Sequence, residues 1–165
     1  MSARAASGRL EPSTHRPTAE RVLLASEGRR FTPEVIEVAA RLARPVGGKV
    51  RVLTIARLWG TGLGLPHPGL RPNRRELAEH EENVANAIRR LNAAGVAANG
   101  HIITTRKPWR SILNEARRLG SHAVVMGVDP RRPWFVGDFM WSQEPYRVRR
   151  HARIPTHLVG PDGPG

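Results

Sequence analysis

The sequence contains no cysteine, and this absence excludes disulfide bonds, thiol catalysis and metal sites with cysteine ligands. No apolar run approaches the roughly 18 residues that a membrane-spanning helix needs, so we expect no membrane span. Residues 1–20 lack the apolar segment of a secretory signal and are polar. We therefore expect a flexible tail over 1–20 and a cytoplasmic protein.

Lysine is nearly absent, since only Lys49 and Lys107 occur, and arginine carries almost all of the positive charge. The chain has 27 Lys and Arg residues against 14 acidic ones, which gives a formal net charge of +13. Such an excess attracts polyanions, so a ribosome, a nucleic acid or an acidic protein is a candidate partner. The candidate contact residues are Arg131, Arg132, Arg147, Arg149 and Arg150. A second interpretation is that the arginines near the last helix form a solvated face, because helix C-termini favour cations.

Short apolar runs alternate with helical patterns along the chain. The runs lie at 22–25, 50–55, 101–105, 123–126 and 156–159, and each reads as a buried strand. Between them we expect helices that start at Pro33, near residue 73, at Pro108 and close to Pro145. This order predicts one domain over 21–160, a three-layer α/β/α sandwich with a five-stranded parallel sheet. Residues 161–165 are expected to form a flexible end.

Two of the helices have clear apolar faces. The helix over 73–94 presents a face of Leu77, Val84, Ile88 and Leu91. In the helix that starts at Pro108, the expected core face is made by Trp109, Ile112, Leu113, Ala116 and Leu119.

The segment 121–160 joins a strand, a glycine, a loop, a helix and a strand, which is the unit that α/β proteins use to hold phosphate groups. Its loop is unusual because it contains Pro130 and Pro133, and Pro145 follows in the first turn of the helix. Proline has no N–H to offer a phosphate and cannot adopt the positive φ angles that glycine supplies. Four aromatic residues of the loop either fill the cleft or form an exposed platform for a partner: Trp134, Phe135, Phe139 and Trp141.

The sequence resembles the universal stress protein family through VLLASEG, VVMG and the ending RVRRHARIPTHLVG, over about residues 20–160. The resemblance implies a Rossmann-like, flavodoxin-like fold of the adenine nucleotide alpha hydrolase type and a non-enzymatic regulatory role in stress. It also implies a homodimer through the final strand, Thr156 to Val159. The cleft residues that it implies are Ser26, Glu27, Ile55, Ala56, Gly127, Val128, Arg131, Ser142 and Gln143.

ATP-binding members of that family carry the loop G-x2-G-x9-G-[S/T], and this chain departs from it. Gly127 matches the first glycine, whereas Pro130 takes the second position. Ser142 and Gln143 take the third glycine and the hydroxyl position, and Glu27 stands where the family usually has Asp. We therefore expect an altered or filled cleft and no cofactor. The alternatives are ATP binding in which arginines replace the glycine loop, a basic docking protein and, last, a weak nucleotide hydrolase.

Neither catalytic residues nor a metal site can be assigned from the sequence. The seven histidines have no metal-ligand spacing, and no motif places a nucleophile beside a base. We therefore expect that the protein is not an enzyme.

Overall fold

The computed structural model describes residues 18–58, 72–128, 143–160 and 163–164. Several predictions from the sequence fall outside these ranges: the greater part of the tail, Arg131, Arg132, Ser142 and the four aromatic residues of the loop. They stay predictions.

Five parallel strands form the sheet, as predicted. They are β1 (Arg21–Ser26), β2 (Lys49–Arg57), β3 (Ala97–Thr105), β4 (Ala123–Gly127) and β5 (Thr156–Gly160). Their order is β3-β2-β1-β4-β5. A two-residue strand, β6 (Gly163–Pro164), pairs antiparallel with the end of β5 and lies within the range that we expected to be a flexible end.

Four α-helices connect the strands: α1 (Pro33–Ala43), α2 (Arg74–Ala93), α3 (Pro108–Arg118) and α4 (Glu144–His151). Proline stands in the first turn of α1, α3 and α4, where the fixed φ angle favours a helix start. At the start of α2, the side chain of Asn73 accepts a hydrogen bond from the N–H of Glu76, whose carboxylate accepts one from the N–H of Asn73. This capping box fixes where α2 begins.

The helices cover both faces of the sheet, because successive side chains of a strand point to opposite sides. Val22 and Leu24 of β1 belong to the core under α1 and α2. Leu23 and Ala25 belong to the core under α3 and α4. The predicted three-layer sandwich is therefore confirmed.

The apolar face predicted for α2 is wrong at Leu77, which is exposed. The buried residues of α2 are Val84, Ala87 and Leu91, all in its second half. The sheet therefore covers only that half, and an apolar residue in the first turn has nothing to pack on. Trp109 of α3 is half-buried and packs at the margin of its core cluster.

The chain reverses its direction of travel across the sheet between β1 and β4. From β1 it proceeds to β2 and β3, and it then returns to place β4 on the other side of β1. In open α/β sheets such a switch point leaves a crevice at the carboxyl ends of the two strands, which is where ligands bind.

Candidate functional site

A cavity of about 330 Å³ opens at this switch point. Its walls come from the carboxyl ends of β1, β4 and β5 and from the segment that leads from β1 into α1. Four of the predicted cleft residues line it: Ser26, Glu27, Gly127 and Val128. The structure thus brings together the ends of two strands that are a hundred residues apart in the sequence.

A second cavity of about 310 Å³ lies on the other side of Glu27, between the end of β2 and the first half of α2. Ile55 lines this second cavity. Ala56 is fully buried in the sheet and reaches neither cavity. Glu27 lines both, so it is the residue around which the predicted site is arranged.

The turn after β1 is held by side-chain hydrogen bonds. The hydroxyl of Ser26 donates to the carbonyl of Arg29 at 2.7 Å. Asn83 of α2 donates to the same carbonyl at 2.7 Å and accepts from the N–H of Phe31 at 3.0 Å. Asn83 was not predicted as a site residue, because it lies more than fifty residues from the turn that it holds.

Gly28 lies in this turn with a φ angle of +99°, in the left-handed region that favours glycine. A Cβ atom there would lie 3.2 Å from Cε1 of His80 and 3.3 Å from the carbonyl oxygen of Ile55. Both the backbone conformation and the close approach of β2 therefore require glycine at this position.

Arginines and carboxylates form a chain of ion pairs along the carboxyl edge of the sheet, which we call the cleft ion-pair network. Glu27 lies 3.6 Å from Arg29 and 3.7 Å from Arg57, and its side chain is only 5% exposed. Arg57 also reaches Glu144 at 3.4 Å, and Glu144 reaches Arg147 at 3.5 Å. The predicted site residue Glu27 and the predicted polyanion contact Arg147 thus belong to one network.

Glu144 is the junction of this network, and it was not predicted from the sequence. Its carboxylate accepts a hydrogen bond of 2.9 Å from the N–H of Trp109, in the first turn of α3. The residue is buried, and Pro145 follows it. An acidic residue in the first turn of α4 was the available signal, but nothing local pointed to α3 as its partner. Gln143, predicted to be a cleft residue, is exposed at the N-cap of α4 and makes no side-chain capping bond.

The remaining predicted polyanion contacts in the described ranges are Arg149 and Arg150, and both are exposed. Neither lies within ion-pair distance of a carboxylate of the residues that the structure describes. His151, at the end of the same helix, donates from Nδ1 to the carbonyl of Arg147 at 2.9 Å. Its ring stacks on Trp109 with the centroids 4.6 Å apart.

Glu115 is a second buried carboxylate, on α3. Arg118 donates two hydrogen bonds to it, at 2.8 and 2.6 Å, and Nε2 of His101 lies 3.3 Å away. The hydrogen bonds from Arg118 hold the pKa of Glu115 below its ordinary value. This group joins α3 to β3 and lies outside both cavities.

The ranges that the structure describes contain neither a cluster for a metal ion nor a helix for a membrane. Within those ranges, no three His, Asp or Glu side chains are arranged so that they could hold a metal ion. No helix among those described is long and apolar enough to cross a membrane.

Comparison with known proteins connects this fold to one family. The sequence profile described as the Universal stress protein family matches residues 18–160. Comparison with curated protein sequences gives no significant match.

Solved structures of universal stress proteins resemble this chain in fold at low sequence identity. One from Archaeoglobus fulgidus is 21% identical, with a TM-score of 0.64 over 84% of this chain and 96% of its own. Another from Archaeoglobus fulgidus, in complex with dAMP, is 20% identical, with a TM-score of 0.61 over 84% and 95%. A third universal stress protein, in complex with cAMP, is 15% identical, with a TM-score of 0.60 over 87% and 98%.

Proposed function

The chain belongs to the universal stress protein family, and from that premise we propose that it is a non-enzymatic regulator of the stress response whose nucleotide cleft is altered. In this proposal the cleft does not hold ATP as the glycine loop of other members does. The observation that carries the proposal is the position of Glu144. It places a buried carboxylate at the N-terminus of α4, the end of the helix that a bound phosphate would approach.

The contacts of Glu144 support this interpretation. Its negative charge is satisfied within the protein by Arg57, Arg147 and the N–H of Trp109. A phosphate brought to this end of α4 would meet a like charge, which also occupies the guanidinium groups of Arg57 and Arg147 that could otherwise receive the phosphate. Pro145 also removes one backbone donor from the same turn.

Glu27 supports the proposal from the other side of the cleft. Its carboxylate lies within ion-pair distance of Arg29 and Arg57. A ligand that bonded to Glu27 would compete with both guanidinium groups. Two neighbours of this fold were solved with dAMP and with cAMP, so the competing proposal is that the arginines of the network bind the phosphate of such a nucleotide.

Binding measurements distinguish the altered cleft from nucleotide binding through the arginines of the network. We expect the purified protein to carry no stoichiometric nucleotide, to give no heat with ATP or AMP in calorimetry, and to hydrolyse ATP no faster than buffer does. Glu144→Gln removes the repelling charge and keeps the shape, so this variant should gain affinity for ATP. Glu37→Gln is the matched control, because Glu37 is exposed on α1 at a distance from the cleft.

Stoichiometric ATP in the native protein would overturn the proposal of an altered cleft. Turnover of that ATP, lost on substitution of a cleft residue, would also overturn the non-enzymatic role.

The homodimer that the resemblance implies is the second part of the proposal. Val159 and Gly160 of β5 pair with β6, which leaves the outer edge of β5 over 156–158 without a strand partner among the described residues. Unpaired backbone groups at a sheet edge are a template for pairing with another chain. We therefore propose that two copies pair along this edge, and a mass measurement by light scattering tests it.

A further inference from the structure

We infer that the face formed by α3 and α4 is a docking surface for single-stranded nucleic acid, with the stacked rings of Trp109 and His151 as its platform for an unpaired base. This inference goes beyond the proposed function and does not depend on the nucleotide cleft. It rests on the distribution of charge between the two helical layers, on the aromatic stack and on a groove between the helices.

Charge is divided unequally between the two layers. On α1 and α2, acidic and basic side chains are nearly equal in number, with Glu34, Glu37 and Arg41 on the first helix and four residues of each sign on the second. On the other layer, the only acidic residues of α3 and α4 are Glu115 and Glu144, and both are buried. Besides Arg118 and Arg147, the exposed cations of that layer and its flanks are Arg106, Lys107, Arg110, Arg117, Arg149, Arg150 and Arg153.

Within the described ranges, none of these seven cations lies within ion-pair distance of a carboxylate. By contrast, Arg118 and Arg147 are paired with the two buried acids. No carboxylate of the described residues therefore neutralises these seven charges, and the positive surface matches a phosphate backbone.

The stacked rings of Trp109 and His151 give this surface a flat aromatic group on which a base can stack, in addition to its positive charge. The rings of Trp109 and His151 are 4.6 Å apart, and Cζ of Arg110 lies 5.1 Å from the centroid of the indole. The hydrogen bond from His151 to the carbonyl of Arg147 holds the imidazole in place. A fixed plane loses little entropy when a base stacks on it, and flat aromatic groups beside arginines are the usual platform for unpaired bases.

A groove of about 410 Å³ lies beside this stack. Trp109 and Arg117 from α3 line one side of it, and His151 and Arg153 line the other. The groove therefore places the aromatic platform between cations of two different elements. Duplex nucleic acid keeps its bases stacked inside, so only a single strand can use both features.

The test is a fluorescence-anisotropy titration with a labelled oligouridine of about 20 nucleotides, repeated between about 50 and 200 mM salt. We expect binding that weakens steeply with salt and exceeds binding to a duplex of the same length. Arg149→Glu/Arg150→Glu should weaken binding about tenfold or more and make the slope of log K against log salt shallower by about 1.4. Arg89→Glu/Arg90→Glu is the matched control, an exposed Arg-Arg pair on α2, and should leave most of the affinity.

Substitution of Trp109 tests the platform. Trp109→Leu should weaken oligouridine binding about tenfold and leave the salt slope unchanged, whereas Trp109→Phe should restore most of the affinity. Thermal unfolding shows whether the Leu variant is folded, and if it is not, His151→Ser takes its place with the same expectation.

Three outcomes would overturn the inference. The first is the absence of salt-dependent binding to the oligouridine. The second is an equal loss in the α2 control pair, which would mean that net charge alone attracts the strand. The third is competition by polyglutamate as effective as by unlabelled oligouridine, which would assign the surface to an acidic protein.

Discussion

The carboxylate of Glu144 accepts a 2.9 Å hydrogen bond from the backbone N–H of Trp109 and so joins the first turn of α4 to the first turn of α3. The first N–H groups of a helix have no partner within the helix, and a carboxylate satisfies both their hydrogen-bonding capacity and the positive end of the helix dipole. Glu144 thus acts on α3 as a capping residue supplied by another element. This relationship also keeps the carboxylate away from solvent.

Removal of the Glu144 side chain should destabilise the protein. Glu144→Ala leaves the N–H of Trp109 without its acceptor and Arg57 without one of its two carboxylates, so we expect a loss of about 1–3 kcal/mol in the free energy of unfolding. Denaturation in urea measures it. Glu37→Ala, at an exposed position, should change stability by less than about 0.5 kcal/mol. Equal effects of the two substitutions would contradict the capping role.

Protonation of Glu115 should lower the free energy of unfolding in acid. The hydrogen bonds from Arg118 hold the pKa of this carboxyl below its ordinary value of 4.5, so the folded protein binds its proton less readily than the unfolded chain does. The stabilisation is complete above about pH 4.5 and is lost as the pH falls through the lower, folded-state pKa. Glu115→Gln should flatten this part of the profile of unfolding free energy against pH, while Glu82→Gln, an exposed acid on α2, should leave the profile unchanged.

Substitutions at Gly28 and Gly95 separate the cost of backbone strain from the cost of steric crowding around an added Cβ atom. Both have positive φ angles, +99° and +76°, but a Cβ at Gly95 would meet nothing within 4 Å. Gly95→Ala should therefore cost about 1 kcal/mol from backbone strain alone, and Gly28→Ala should cost more, about 2–3 kcal/mol, because β2 and His80 must also move. Thermal and urea unfolding measure both. A smaller effect at Gly28 than at Gly95 would show that the turn relaxes freely.

The edge of β5 can be blocked without disturbing the sheet. The carbonyls of Pro155 and Val159 accept hydrogen bonds from the N–H groups of Val124 in β4 and of Val128 just after it. Strand residues alternate in direction, so the N–H of Thr156 points away from β4. Thr156→Pro removes that N–H and should convert the proposed dimer to a monomer in light scattering. Thr156→Val keeps the N–H and should remain dimeric. A native protein that is monomeric at all concentrations would refute the pairing.

Local signals were sufficient to predict the order of the elements. Pro33 and Pro108 mark helix starts because proline fixes φ in the first turn, and Gly127 marks the end of β4. The alternation of strands and helices then predicted the layers. The end of β2 at Ala56 and Arg57, the first residues of β3 and the two-residue strand β6 were missed, since the run of apolar residues ends or is absent there.

The site was predicted less completely, because its geometry depends on residues distant in sequence. Ser26, Glu27, Gly127 and Val128 follow apolar strands, so a pattern of runs could find them. Arg57 and Asn83 could not be found in this way, since one lies at the end of a long strand and the other within a polar helix. Leu77 shows the converse error, in which helical periodicity continues past the edge of the sheet that would bury it.

The unequal division of charge between the helical layers has a kinetic consequence. Within the described ranges, the charges of α1 and α2 nearly balance and those of α3 and α4 are positive, so this part of the chain has an electric dipole directed from one helical layer to the other. The electric field of a polyanion should therefore orient the protein before contact, so that α3 and α4 face the polyanion. Encounters that start in the wrong orientation are thereby corrected, and the association rate rises as ionic strength falls.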